Sequence, residues 1–337
     1  MMAVCASIAS RFRQLSYSSS VDSQLPPAAC RFGLLVSMLL VGSLLGCAPL
    51  KTRAGLLQTR AELLETSAAA LERATQLATT QSLVAQPSHD RRWRLEQAVL
   101  PYAELSPEIA TIRNVRQCRW PPQGEPAVHH YDWTIRWDEI RAVDFVVVPF
   151  QSMPLLSHTM LSFHLADGRV LGVSVEARLE HHEVYSPLAG AARQYDLIYV
   201  LADETDLLGV RGVVRGDDVY VYPAEMTPDQ ASDLLASVLR RANAISQQPE
   251  HYDSLTNNCT TNLMQHVTEV MDDEALADWT KRMPGHSTDR WIHGMGLLRT
   301  ELPFDQARAR AWTSGRIRQF IGEPDFSNRI RGRRKSV

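Results

Sequence analysis

The chain has 337 residues, of which 45% are hydrophobic and 22% are charged, and its formal net charge is −3. This length fits one large or two ordinary domains with a substantial core. The apolar content is too high for a disordered protein, and five cysteines are too few for a disulfide scaffold. Because no basic surplus exists to hold a phosphate backbone, the composition argues against nucleic-acid binding.

The N-terminus has the pattern of an export signal. An apolar run at 32–45 is short for a bilayer span but suits a signal-peptide core. It ends in LLGC at 44–47, which resembles a bacterial lipobox, where the cysteine thiol receives diacylglycerol. We therefore expect residues 1–46 to be a lipoprotein signal peptide, with Cys47 as the lipid anchor. Ala48 after the cysteine favours the outer membrane, and the alternative is an uncleaved signal anchor.

The rest of the chain divides into three parts. Residues 47–109 would hold the anchor and a helix at 54–85, where leucines recur at heptad intervals, as a stalk or packing helix. Residues 110–332 would form the folded periplasmic domain. Residues 333–337 would be a solvated basic tail.

The folded part begins with strand patterns and ends with helix patterns. A continuous apolar run, alternating segments on either side of Ala-Asp-Gly at 166–168, and two shorter apolar segments predict strands at 143–149, 158–165, 170–178, 196–202 and 219–222. Thr227, Pro228 and Gln230 form the start of a helix with a capping box. A second helix begins near Cys259. The order predicts an α+β fold with an antiparallel sheet.

The hairpin brings a histidine and an acid together. With a three-residue loop at 166–168, His158 lies opposite Glu176 on the same face of the sheet. A carboxylate beside an imidazole fixes its tautomer and stabilises the imidazolium formed in catalysis. The alternative is an ordinary buried ion pair.

Cys259 lies where the second helix begins. Unsatisfied N–H groups and the positive end of the helix dipole predict a lowered thiol pKa. The backbone N–H groups of Cys259 and Asn258 are candidates for an oxyanion hole. The alternative is a core thiol or a disulfide with Cys118, since exported proteins can form such bonds. With His158 and Glu176, Cys259 would complete a Cys-His-acid set suited to acyl transfer.

The order of a hairpin histidine, an acid on the next strand and Asn-Cys at a helix start resembles circularly permuted papain-like enzymes. These include relatives of the NlpC-type amidases and of lecithin-retinol acyltransferase. The sequence is more similar to the Lnb N-terminal periplasmic domain family, named for a bacterial lipoprotein N-acyltransferase. The similar segments are SHTMLSF at 157–163, SVE at 174–176, RQYDLIYV at 193–200, RGDDVY at 215–220, LTNNCTTN at 255–262, LPF at 302–304 and DFS at 325–327.

This resemblance spans about residues 110–332 and implies a permuted papain-like core. It implies Cys259 as nucleophile, His158 as base and a thioester acyl-enzyme, with a lipoprotein N-terminus or another amine as acceptor. The acyltransferase that names the family carries a membrane portion after this domain. No apolar run after residue 300 could span a membrane here, so Cys47 is expected to hold the domain at the bilayer.

Two other functions remain open at this stage. One is a cell-wall peptidase or amidase that uses the same three side chains on a peptide substrate. The other is a non-catalytic envelope lipoprotein in which Cys118 and Cys259 form a disulfide. Two adjacent histidine pairs occur, His129–His130 and His181–His182. Neighbouring side chains on a strand point to opposite faces and rarely bind one ion, so no metal is expected. No glycine-rich phosphate loop occurs, and no cofactor is predicted.

Overall fold

A computed structural model describes residues 85–121, 124–151, 153–271 and 287–332, which belong to one compact unit. The predicted signal peptide, Cys47 and the basic tail at 333–337 lie outside these residues. So does the helix expected at 54–85, apart from its last residue. Residues from 88 onward, assigned above to the stalk, already contact the sheet domain, because the Ser88 N–H donates to Asp196 Oδ2.

In the part of the chain that the structure describes, eight strands form one sheet. They are β1 (Tyr102–Leu105), β2 (Ile109–Arg119), β3 (Ala127–Arg136), β4 (Ile140–Phe150), β5 (Met153–Leu165), β6 (Val170–Arg178), β7 (Asp196–Asp203) and β8 (Tyr220–Pro223). Their order is β1-β2-β7-β6-β5-β4-β8, and β3 pairs with β2. The β2–β7 contact is parallel, and every other pairing between these strands is antiparallel.

The described helices lie between strands in two cases and after β8 in the others. They are α1 (Pro187–Ala191), α2 (Glu204–Gly209), α3 (Pro228–Gln247), α4 (Cys259–Met271), α5 (Thr288–Gly294), α6 (Phe304–Ala311), α7 (Ser314–Phe320) and α8 (Phe326–Ile330). Short 3-10 turns lie at Leu95–Gln97 and Trp137–Glu139, and a π-helical segment, Val210–Val214, follows α2. Thr227 and Gln230 form the predicted capping box at α3. The prediction of an α+β fold with a largely antiparallel sheet is therefore confirmed.

The β5–β6 hairpin has the predicted register. Leu161 pairs with Val173 and Met160 with Ser174. The Leu165 N–H donates to the Arg169 carbonyl, which closes a three-residue loop. Gly168 has φ +86° in this loop, a conformation that glycine adopts without strain.

Each face of the sheet packs against helices. One apolar cluster, the first core, includes Leu161, Phe163 and Val173 of the sheet with Leu234 of α3 and Leu263 of α4. The opposite cluster, the second core, includes Met160, Val146 and Ile198 with Leu207 of α2 and Ile317 of α7. Because β4 is buried on both faces from Val143 to Val148, this stretch is apolar except for Asp144 and does not alternate.

The second face also holds a buried ionic network. Arg331 Nε lies 2.6 Å from Asp144 Oδ2, and its other nitrogens donate to Glu204. His164 Nε2 lies 2.8 Å from the same Asp144 oxygen. The Arg331 side chain is 7% exposed and those of the two acids 3% and 1%, so the network replaces solvation for all three charges.

Candidate active site

The sheet opens between β5 and β6 at the end opposite the hairpin loop. Pairing between the two strands extends only to Met160 and Ser174. Beyond that point β5 still pairs with β4, to Ser157, and β6 still pairs with β7, to Arg178. A gap therefore lies between two strands that are each held from their other side.

His158 and Glu176 flank this gap on the second-core face. His158 Nε2 lies 2.8 Å from Ser174 Oγ, and Ser174 Oγ donates to Glu176 Oε1 at 2.9 Å. The direct distance from His158 Nε2 to Glu176 Oε1 is 3.8 Å. Because the one hydroxyl proton of Ser174 goes to Glu176, the imidazole must donate from Nε2. In the neutral ring, Nδ1 then carries the available lone pair.

Two further side chains hold the acid. Arg211 Nη2 lies 3.6 Å from Glu176 Oε1, and Gln97 Nε2 donates to Glu176 Oε2 at 3.3 Å. Burial alone would raise the pKa of Glu176, but the charge of Arg211 outweighs it and lowers the pKa to about 2. Burial, and then the charge of Arg211, hold the pKa of His158 well below 6.5. At neutral pH the site therefore contains an ionised carboxylate and a neutral imidazole.

Asn258 caps the helix that begins at Cys259. Its Oδ1 accepts from the Thr261 N–H at 3.0 Å, and its own N–H donates to Thr261 Oγ1 at 2.8 Å. This reciprocal pairing satisfies one donor of the first turn and fixes where α4 starts. The cap already uses the Asn258 N–H, so Asn258 supports the site by fixing the first turn of α4. The N–H of Cys259 is left to bind an oxyanion.

The Cys259 thiol lies at the gap in the sheet. It is buried, and Sγ lies 3.9 Å from both the Ser157 carbonyl oxygen and Thr260 Oγ1. Helix α4 packs on the first-core face, whereas His158 projects to the other face. Within the described residues no hydrogen bond joins the thiol to the imidazole. The structure thus brings His158 and Glu176 together and places Cys259 against the main chain beside His158.

The thiol is less acidic than its position suggests. Burial raises the pKa of Cys259, and the opposing contributions of the Thr159 N–H, the Thr260 hydroxyl and N–H, and the Arg211 charge are smaller. The prediction of a lowered pKa is wrong, because it counted the helix terminus and omitted desolvation. A neutral thiol beside a neutral imidazole requires proton transfer when the thiol attacks.

Alkylation should report this protonation state. We expect iodoacetamide to modify Cys259 slowly at pH 7 and about tenfold faster per pH unit up to a midpoint above the usual range of a thiol, because thiolate is the nucleophile and burial raises the pKa of Cys259. Peptide mapping after timed alkylation gives the rate at Cys259 alone. The Arg211→Met variant should shift the midpoint further upward. A rate that already levels off below pH 8 would contradict the assignment.

Cys118 does not pair with Cys259. Both cysteines are free and buried. Cys118 lies on β2, and β7 and β6 separate that strand from the gap beside β5. Adjacent strands are about 4.8 Å apart, so the two backbones are too distant for a disulfide. The disulfide considered above is therefore wrong.

Gln97 and Arg211 are site residues that the sequence pattern did not predict. Arg211 lies in an apolar stretch at 207–214, and a buried arginine needs an anionic partner, so this was a usable signal. It belongs to the π-helical segment, a feature often found at functional sites. No local pattern marks Gln97. Among the described residues, no group of His, Cys, Asp and Glu side chains could hold a metal ion.

The fold and site define an α+β domain with a cysteine at a helix start and a hydrogen-bonded His–Ser–Glu chain. Residues 127–291 of the sequence match the family model of the Lnb N-terminal periplasmic domain. The match runs from β3 into α5 and includes His158, Glu176 and Cys259. Comparison with curated proteins and with solved structures finds no match.

The matched family supports a periplasmic location for this domain. In the part of the chain that the structure describes, no helix is both long and apolar enough to cross a membrane.

Proposed function

We propose that this protein is a cysteine acyltransferase of the cell envelope, acting through a thioester on Cys259. The observation that carries the proposal is the position of the buried thiol at the gap between β5 and β6. There it contacts the main chain next to His158, whose Nε2 is held by Ser174 and Glu176. The match to the Lnb periplasmic domain agrees with it.

In the proposed reaction, the thiol turns from the Ser157 carbonyl toward His158, and Nδ1 accepts its proton as Sγ attacks the acyl carbonyl carbon. The Cys259 N–H stabilises the oxyanion of the tetrahedral intermediate. His158 returns the proton to the leaving alcohol, and the acyl group remains as a thioester. An amine then attacks the thioester carbonyl, and Cys259 regains its proton through His158.

Glu176 acts in this scheme through Ser174. The carboxylate holds the Ser174 hydroxyl, which accepts from His158 Nε2–H, and this leaves Nδ1 as the base. When the ring becomes positively charged, the Glu176 charge stabilises it. Arg211 keeps Glu176 ionised and moderates the pKa of Cys259.

We also propose where the domain is held and which molecules donate and accept the acyl group. Cys47 would carry the lipid that holds it at the periplasmic face of the outer membrane, and acyl lipids of that membrane would be donors. By similarity to the Lnb family, a lipoprotein N-terminus would be the acceptor. The permuted papain-like core is part of the same proposal, supported by the order of histidine, acid and helix-start cysteine.

The proposal is tested by detecting an acyl adduct on Cys259. Purified full-length protein is incubated with phospholipid vesicles or with soluble murein peptides, and its intact mass is recorded. We expect the lipid to add one acyl mass to the Cys259 peptide, with release by neutral hydroxylamine. Cys118→Ala, which removes the other buried thiol, should keep the adduct, and Cys259→Ala should lose it. An adduct from murein only would favour the amidase, and an adduct that persists in Cys259→Ala would overturn the assignment.

A further inference from the structure

The β8 edge of the sheet borders a cavity. This cavity of about 260 Å³ is lined by parts of β4, β8, α6 and α7 and by the segment before α6. It contains none of the residues of the Cys259 site. Its volume lies slightly below the range of roughly 300–1,000 Å³ for drug-sized ligands, so it suits a small group.

The charged residues that line the cavity are mostly arginines. They are Arg299, Arg310, Arg316 and Arg331, with Asp144 as the acid. Arg331 and Asp144 already pair with each other, and Arg331 also pairs with Glu204. Arg299 lies 3.6 Å from Glu225. These pairs neutralise one another and supply little net charge.

The positive surplus comes from the remaining two side chains. Both Arg310 and Arg316 are exposed, and in the described part of the chain neither forms a salt bridge with a carboxylate. Arg316 donates one bond, from Nη1 to the Ile330 carbonyl at 3.1 Å, which leaves its other donors available. Two guanidinium groups without a carboxylate partner therefore line the same cavity.

We infer that this cavity binds a phosphate-bearing ligand, with the guanidinium groups of Arg310 and Arg316 as its main contacts. Guanidinium forks match the oxygens of a phosphate and form charge-assisted hydrogen bonds with them. The apolar and aromatic lining, including Val221 and Tyr222, accommodates a small organic group attached to the phosphate. The ligand is therefore a soluble phosphate ester or the headgroup of a phospholipid.

The experiment measures the binding of a soluble phosphate ester and of a phospholipid headgroup to the full chain. The protein carries Cys47→Ser, so that no lipid anchor contributes. Glycerol phosphate is titrated by calorimetry, and phosphatidylglycerol vesicles are compared with phosphatidylcholine vesicles by co-sedimentation. We expect Arg310→Gln with Arg316→Gln to weaken binding about tenfold or more, because hydrogen bonds to charged groups are lost. Arg240→Gln with Arg318→Gln removes two charges outside the cavity and should leave binding unchanged.

Binding of glycerol phosphate alone would identify a soluble ester. Binding also to phosphatidylglycerol vesicles, lost in the same double variant, would identify a headgroup. Because Arg310 and Arg316 are both exposed, we expect their double variant to fold normally, and an unchanged melting temperature checks this. Equal losses in the two double variants, or no binding of either probe, would overturn the inference.

Discussion

The His158→Gln variant should form the Cys259 thioester about 100- to 10,000-fold more slowly than the wild type, the range for loss of a general base. The cause is specific to this site, because burial keeps the Cys259 thiol protonated and the attack needs a group that accepts its proton. Glutamine preserves the size and hydrogen bonding of the side chain but does not accept a proton near neutral pH. Single-turnover acylation followed by intact mass measures the rate directly.

Two comparison variants make this result specific. Glu176→Gln should slow acylation less than His158→Gln does, because Glu176 positions and stabilises the ring through Ser174. The Glu176→Gln variant should change the KM only slightly. It should shift the acid limb of the pH profile of acylation. His181→Gln alters an exposed histidine at 60% side-chain exposure and should have no effect. If Glu176→Gln kept full activity with an unshifted pH profile, its role would be discarded. If His158→Gln kept full activity, the proposed base would be wrong.

The Arg331→Met variant should lose about 3–5 kcal/mol of unfolding free energy, the cost of leaving a buried charge without its partner. Removing Arg331 takes the cationic partner away from both Asp144 and Glu204 in a site that is nearly closed to solvent. Urea unfolding at pH 7, followed by circular dichroism, measures the difference. Arg240→Met is the control, because it breaks an exposed pair with Glu269 and should cost about 0–1 kcal/mol.

The loss of unfolding free energy in Arg331→Met should also depend on pH. Burial alone would raise the pKa values of Asp144 and Glu204, but Arg331 lowers both below the ordinary values of 3.8 and 4.5. Carboxyls with lowered folded-state pKa values stabilise the protein above the unfolded value and lose this contribution as the pH falls through the folded one. The difference between wild type and Arg331→Met should therefore narrow below about pH 4. A constant difference from pH 7 to pH 3 would contradict this electrostatic origin.

The local features of the fold follow from short stretches of sequence. Ala-Asp-Gly at 166–168 sets the hairpin loop, and the period of two then places His158 and Glu176 on one face. Thr227 and Gln230 specify the start of α3, and Asn258 specifies the start of α4, because caps satisfy donors within one turn. Three strands before residue 137 were not predicted, and on β2 a register shift between Ile112 and Val115 interrupts the alternation that would mark a strand.

The sequence by itself therefore determined the hairpin, the helix starts and the order of histidine, acid and cysteine, since each depends on neighbours a few residues away. Only the tertiary structure decided that the Cys259 thiol reaches a gap between β5 and β6, and that Arg211 and Gln97 hold Glu176 from distant segments. It also decided the direction of the thiol pKa. Desolvation depends on every atom packed around a group, and no local pattern records that sum.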